Sequence, residues 1–252
     1  MMLPRIIPIL LLQNRGLVKS IKFKDYNYIG DPINAVKIFN EKEVDEICLL
    51  DVAASKLGKE PDFKLIEEIG SEAFMPFGYG GGITTFEQAK KIFKLGAEKV
   101  ILNNILLTNK HLLTEIANHA GSQSAVVSVD VKKNLWGKYG VYAHTQKKNI
   151  SVDLFEYIHQ LIEAGAGEII INSVDLDGTM LGLDKPLIHK IANQINVPLI
   201  ACGGVGSLTH IKEGIDMGAS AVAAGSFFVY HGKHKAVLIN YPERIQLKNL
   251  FA

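Results

Sequence analysis

The sequence predicts a (β/α)8 barrel assembled from two similar halves, and three observations carry that expectation. Eight short apolar runs alternate with longer segments of helical period, the pattern of repeated βα units around a parallel sheet. A shift of 122 positions superposes Asp31 on Asp153, Glu46 on Glu168, Asp62 on Asp184, Pro76 on Pro198, Gly81 and Gly82 on Gly203 and Gly204, Gly96 on Gly218, and Val100 on Val222. A constant offset over so many turn and core positions signals a repeated architecture. The 252 residues contain no Pro- or Ser-rich linker, and α/β barrels of this length are commonly one domain, so a single domain spanning 1–252 is expected.

The eight strands follow in order. RIIPILL (5–11) comes first, EICLLDV (46–52) carries Asp51 near its end, and FMPFGYG (74–80) ends in glycine. After the third strand, TTFEQAKKIFKLGA (84–97) repeats Phe86, Ala89, Ile92, Phe93 and Leu95 close to helical spacing, which marks a crossover helix. KVILNN (99–104) completes the first half. The second half repeats the plan with AVVSVDV (125–131), EIIINSV (168–174), PLIACGG (198–204) and AVAAGSF (221–227).

Composition narrows the function classes. With 48% hydrophobic and 21% charged residues and a net charge of +1, the chain is an ordinary soluble composition, and its scattered basic residues argue against nucleic-acid binding. The apolar run 6–12 is broken by Pro8 and is far shorter than the roughly 20 residues that cross a bilayer, so no membrane association is expected. Cys48 and Cys202 lie in apolar, strand-like runs without CxxC spacing and read as reduced core residues of a cytoplasmic protein. Neither a cofactor nor a metal site is expected.

In a barrel of this kind the active site lies at the C-terminal ends of the strands. There GYGGGIT (78–84) and its repeat partner CGGVGS (202–207) let backbone N–H groups approach an anion. The neighbouring strand ends supply further donors: Asn103 and Asn104 on one side, Gly225 and Ser226 on the other. One such loop means only a tight turn, but two related loops, each beside a donor-bearing strand end, fit a ligand with a phosphate at each end. Asp130 ends the alternating fifth strand, where a partly buried carboxylate can act as general acid or base, the competing reading being an ion pair with a loop lysine. SVDLDGT (173–179) adds Asp175, Asp177, Gly178 and Thr179 as an anion-binding turn, and Asp51 ends the second strand. At the opposite mouth, Arg5, Glu46, Lys99 and Glu168 each precede an apolar run, where two cations and two anions can meet on the barrel axis as a gate.

The motifs RIIP, GDP, GYGGGI, GSQ, GAGEI, DLDGT and GGVG, in this order and nearly end to end, resemble the cyclase subunit of imidazole glycerol phosphate synthase. The resemblance implies a barrel docked on a glutaminase subunit as a heterodimer. Ammonia released there would pass a gate of Arg5, Glu46, Lys99 and Glu168 and cross the interior to a phosphoribulosyl substrate. Gly82 and Asn103, with Asn104 beside them, would hold one phosphate of that ligand, and Asp177, Gly178, Gly204, Gly225 and Ser226 the other. The glutaminase would contact the bottom face around Glu98.

Three departures stand on the catalytic face. The family's two acid–base aspartates end strands 1 and 5; Asp130 matches the second, but Leu11 stands where the first would fall. Asn104 replaces a usual threonine, and HTQKKNI (144–150) lacks paired glycines. The tail SFFVYHGKHKAVLINYP (226–242) resembles a divergent branch linked to surface polysaccharides, in which the barrel feeds ammonia to a sugar amidotransferase that makes acetamidino groups. The favoured expectation is therefore an ammonia-conducting subunit. The alternatives are a genuine cyclase in histidine synthesis and a non-catalytic phosphate-binding scaffold or glutaminase activator.

Overall fold

A computed structural model describes residues 3–232 and 234–252; Lys233, inside the 226–242 tail, lies outside the described residues. Eight parallel strands form the barrel: β1 (Arg5–Gln13), β2 (Ile47–Asp51), β3 (Phe77–Gly80), β4 (Lys99–Leu102), β5 (Ala125–Lys133), β6 (Glu168–Ser173), β7 (Leu199–Cys202) and β8 (Ala221–Ala224). They pair in sequence order, with Ile169 beside Val127 joining β6 to β5 and Arg5 beside Ala221 closing the ring between β1 and β8. Among the described residues, eight helices of eight or more residues follow the strands: α1 (Pro32–Glu41), α2 (Phe63–Glu72), α3 (Phe86–Lys94), α4 (His111–Ala120), α5 (Leu154–Glu163), α6 (Lys185–Ala192), α7 (Leu208–Asp216) and α8 (Arg244–Phe251), and a one-turn helix Ala54–Leu57 sits between β2 and α2. The barrel expectation holds, and no helix among the described residues is long and apolar enough to cross a membrane.

The internal repeat has a physical cause. Asp31 and Asp153 cap α1 and α5, and Asp62 and Asp184 cap α2 and α6, each carboxylate accepting from backbone N–H groups of the first turn. Thr85 and Ser207 cap α3 and α7 in the same way. Much of what repeats at constant offset is thus the set of residues that start helices, alongside strand positions such as Val100 and Val222.

Strand alternation sorts the apolar residues into two layers. On β1, Ile6, Leu10 and Leu12 join the large layer between sheet and helices, while Ile7 and Ile9 point inward with Cys48, Ile101, Val126, Ile170, Ile200, Ala221 and Ala223. Leu11 packs against this interior cluster.

Several strand ends differ from the sequence expectation. β3 starts at Phe77 rather than 74, because Pro76 has no N–H to give and Phe74 turns outward, its amide on Asn40 Oδ1 at 2.9 Å. β4 and β8 stop at Leu102 and Ala224, and tight 3₁₀ turns follow at Asn104–Leu107 and Ser226–Phe228. Sequence reading also missed two additions to the rim. β1 continues into antiparallel strands Gly16–Ile21 and Lys24–Gly30, and β5 into Tyr139–Ala143, with Lys148–Asn149 beyond it.

Candidate functional site

A cavity of about 580 Å³ opens at the C-terminal ends of the strands, lined among others by Leu11, Asn103, Asn104, Asp130, His144 and Asp177. Asp130 sits at its floor, 6% exposed. Its Oδ2 accepts from Asn103 Nδ2 at 2.8 Å and its Oδ1 from Asn172 Nδ2 at 3.0 Å. Burial raises its pKa, while the two amides and nearby His144 oppose that rise. The loop lysine that could have neutralised it, Lys133, pairs instead with Asp184 at 3.0 Å. The carboxylate therefore faces the cavity without a cation on it, the condition for proton exchange rather than for a structural ion pair.

The residues expected at the second phosphate come together. Asp177, Gly178, Gly204, Gly225 and Ser226 line a smaller cavity of about 40 Å³ that shares Leu11, Asp177 and Cys202 with the large one. Gly204 sits at φ +105°, and a Cβ there would collide with the Gly182 carbonyl, so only glycine fits this turn. The cation of this corner is Lys19, which sequence reading overlooked. It is 4% exposed, and its Nζ donates to the Ile9 carbonyl at 2.7 Å. A side chain on Gly225 would occupy the place of that ammonium. Burial lowers the Lys19 pKa to about 8 and raises that of Asp177 to about 7, each partly offset by the other's charge. Lys19 could have been found only from the hairpin: a single lysine inside GLVKSI carries no signal until Gly16–Ile21 folds back on β1 and turns it inward.

At the other end, Gly82 has φ +72°, and its amide lies 3.4 Å from Ser55 Oγ. The Asn103 side chain is engaged with Asp130, so its amide serves the carboxylate. Asn104 Nδ2 donates to Thr145 Oγ1 at 2.8 Å, so two of the departures noted in the sequence are one structural unit. His144, beside Thr145, stacks edge-on against Phe23 at 5.1 Å and roofs the cavity from the β5 hairpin. Its pKa is lowered by burial, with Asp130 opposing. Asp51 accepts from the Ala53 and Ala54 amides at the cavity wall. Asp175 holds the Lys133 amide at 2.9 Å, and Thr179 donates to the Leu176 carbonyl at 2.7 Å, so both brace loops. Cys202 is not deep core as expected: it lines both cavities, while Cys48 is buried in the barrel. Leu11, flanked by Val18 and Leu50, offers the cavity only methyl groups.

At the opposite mouth the four charged residues form a ring. Arg5 reaches Glu46 and Glu168 at 2.6 Å each, and Lys99 reaches both at 2.9 Å. The two carboxylates are 5% and 10% exposed, so each cation is shared between two buried anions and each anion between two cations. Glu98 is exposed beside this ring, its amide on the Phe77 carbonyl at 3.0 Å.

The family described as Histidine biosynthesis protein matches residues 5–235. A Pseudomonas aeruginosa protein that carries the provisional name imidazole glycerol phosphate synthase subunit hisF2 is 51% identical over 95% of this chain and 96% of its own length. The chain belongs to the HisF family of imidazole glycerol phosphate synthase cyclase subunits. A Leptospira borgpetersenii protein, provisionally named as a HisF subunit, is 50% identical over the whole of both chains. The imidazole glycerol phosphate synthase subunit HisF of Exiguobacterium sibiricum is 39% identical over 90% of this chain and 91% of its own length. The HisF family resemblance read from the motifs is thus established, in agreement with the parallel barrel.

Proposed function

We propose that this HisF-family chain receives ammonia from a glutaminase subunit at its bottom face and conducts it through the barrel to a separate acceptor enzyme, a sugar amidotransferase of surface-polysaccharide synthesis. One observation carries the reading: Leu11 lines the reaction cavity where a second proton-exchanging group would stand, while the ring of Arg5, Glu46, Lys99 and Glu168 is complete. An aliphatic side chain can neither take nor give a proton, and general acid–base catalysis is worth roughly 10²–10⁴-fold. A ring of shared ion pairs admits a small neutral molecule only by parting one pair, so it suits a gate. The five glycine-corner residues with Lys19, together with Gly82, Asn103 and Asn104, remain a phosphate-binding top site in this reading, open to a phosphorylated effector. Its setting is cytoplasmic.

A second reading, a working cyclase, draws support from the cation-free Asp130 and from Lys19 and Asp177, which line one cavity. The deciding experiment plugs the barrel. Ala223 is a fully buried interior residue beside Ile7, and Ala223→Leu fills the path at a stability cost of roughly 1–3 kcal/mol. Product formation by glutaminase, this chain and acceptor enzyme together should fail with glutamine and persist with ammonium supplied directly to the acceptor. Unchanged glutamine-driven synthesis in the presence of an ammonia scavenger would mean that ammonia does not cross this chain.

A further inference from the structure

β5 does not end at the barrel rim. It runs past Asp130 and pairs with Tyr139–Ala143, Val131 opposite Val141 and Lys133 opposite Tyr139. At roughly 3.3 Å per residue, the turn at 134–138 stands on the order of 15 Å beyond Asp130 along the strand. That turn is held by its own hydrogen bonds. The Asn134 amide donates to Lys138 O and the Gly137 amide to Asn134 O, while Asn134 Oδ1 accepts from the Trp136 and Lys138 amides, all at 2.9 Å. Its base is tied to the loop after β6: the Lys133 amide donates to Asp175 Oδ2 at 2.9 Å, and the Tyr139 hydroxyl donates to Asp184 Oδ1 at 2.7 Å.

This braced turn presents Leu135 and Trp136, 102% and 92% exposed, and Trp136 is the sole tryptophan of the chain. Leu181, 79% exposed, stands on the loop that anchors the hairpin base. Within the chain these side chains bury nothing, so their packing gives no stability and the turn orders them for no internal gain. An exposed tryptophan on a turn whose backbone is hydrogen-bonded in place is suited to anchor an interface. The charge carried by the hairpin itself is one-sided. Residues 132–148 contain five lysines and no aspartate or glutamate, in a chain of net charge +1, and among the described residues only Lys133 of the five forms an ion pair. The return arm of the same hairpin carries His144, Thr145 and Gln146, which line the cavity. A protein seated on the tip therefore stands over the cavity mouth.

We propose that the hairpin 131–150 is the docking finger for the ammonia-accepting enzyme, inserting Trp136 and Leu135 into an apolar pocket with an acidic rim. The identity of the occupant rests on the conduction reading above; the surface and its chemistry rest on the hairpin. Positive charge along the hairpin selects an acidic partner surface and speeds encounter at low salt.

The test measures binding of the purified sugar amidotransferase to the complex of this chain with its glutaminase. Leu135→Ser with Trp136→Ser should weaken binding roughly 30-fold or more, and Lys138→Gln with Lys147→Gln should slow association and flatten its salt dependence. Glutamine-driven product should fall with the first pair, while stimulation of the glutaminase stays unchanged. Equal binding by the unaltered chain and the Leu135/Trp136 variant overturns the proposal. So does loss, in that variant, of binding to anionic phospholipid vesicles in place of binding to the enzyme. If Ala223→Leu blocks transfer and the finger variant does not, the docking site falls and conduction stands. If Ala223→Leu leaves transfer untouched, conduction falls, and the direct binding measurement still judges the finger.

Discussion

Restoring a carboxylate at position 11 is the sharpest perturbation of the top site. Leu11 lies in the wall of both cavities between Val18 and Leu50, part-exposed, so Leu11→Asp forfeits about 1 kcal/mol of apolar burial. The new carboxylate shares the cavity with Asp130 and Asp177, and Lys19, on the neighbouring Ile9 carbonyl, is the cation at hand to keep it charged. If the rest of the site is competent, a second proton-exchanging group returns roughly 10²–10⁴-fold in rate, about 3–5 kcal/mol of barrier. The assay is ring closure of the phosphoribulosyl substrate with saturating free ammonium and no glutaminase, which removes the gate from the measurement. The unaltered chain should be slow and Leu11→Asp faster. Leu11→Asn, of the same shape but unable to exchange a proton, should stay slow, and adding Asp130→Asn to Leu11→Asp should cancel the gain. Turnover by the unaltered chain equal to that of a family member with both aspartates would refute the reasoning, as would Leu11→Asn matching Leu11→Asp.

Lys99→Met leaves Glu46 and Glu168 with Arg5 alone; at the low end of the range for breaking a buried pair, because Arg5 is 31% exposed, about 3 kcal/mol should be lost in chemical denaturation. Lys19 has its folded-state pKa lowered from 10.5 to about 8, so between those values the unfolded chain holds the extra proton and stability rises with pH, on the order of 3 kcal/mol in all. Lys19→Met should abolish that rise in a pH series of denaturation curves. Gly204→Ala forces a side chain into a φ of +105° and against the Gly182 carbonyl, and should lower stability by about 1–3 kcal/mol, read as a drop in Tm. Glu98→Lys, at an exposed bottom position, should weaken glutaminase binding in a titration while Asp130→Asn does not, and equal effects would remove the division between the two faces.

The barrel and its two-fold plan were legible in the residues because they rest on local chemistry. Inward and outward alternation, aspartate and serine or threonine caps, and glycines at turns act within a few residues of themselves, so they recur at a fixed offset wherever the same βα unit recurs. The four ring residues were legible for a related reason: Arg5, Lys99 and Glu168 begin strands and Glu46 stands one residue before one, and parallel strands in register bring these positions to one mouth. Leu11 stood out only through the family resemblance, which implies an aspartate at the end of strand 1; nothing in the chain's own spacing marks the position. Other features depended on contacts across long separations. Lys19 became a buried cation only when β1 doubled back on itself, and its altered pKa comes from burial beneath residues such as Gly225 more than 200 positions away. The meeting of Asn103 and Asn172 on Asp130, of Asn104 with Thr145, and of Phe23 with His144 joins separate βα units at one rim. Position along the chain determines which residues reach the top of the barrel; which of them touch, and which are left facing water as Trp136 is, was decided by the packing of the rim loops against one another.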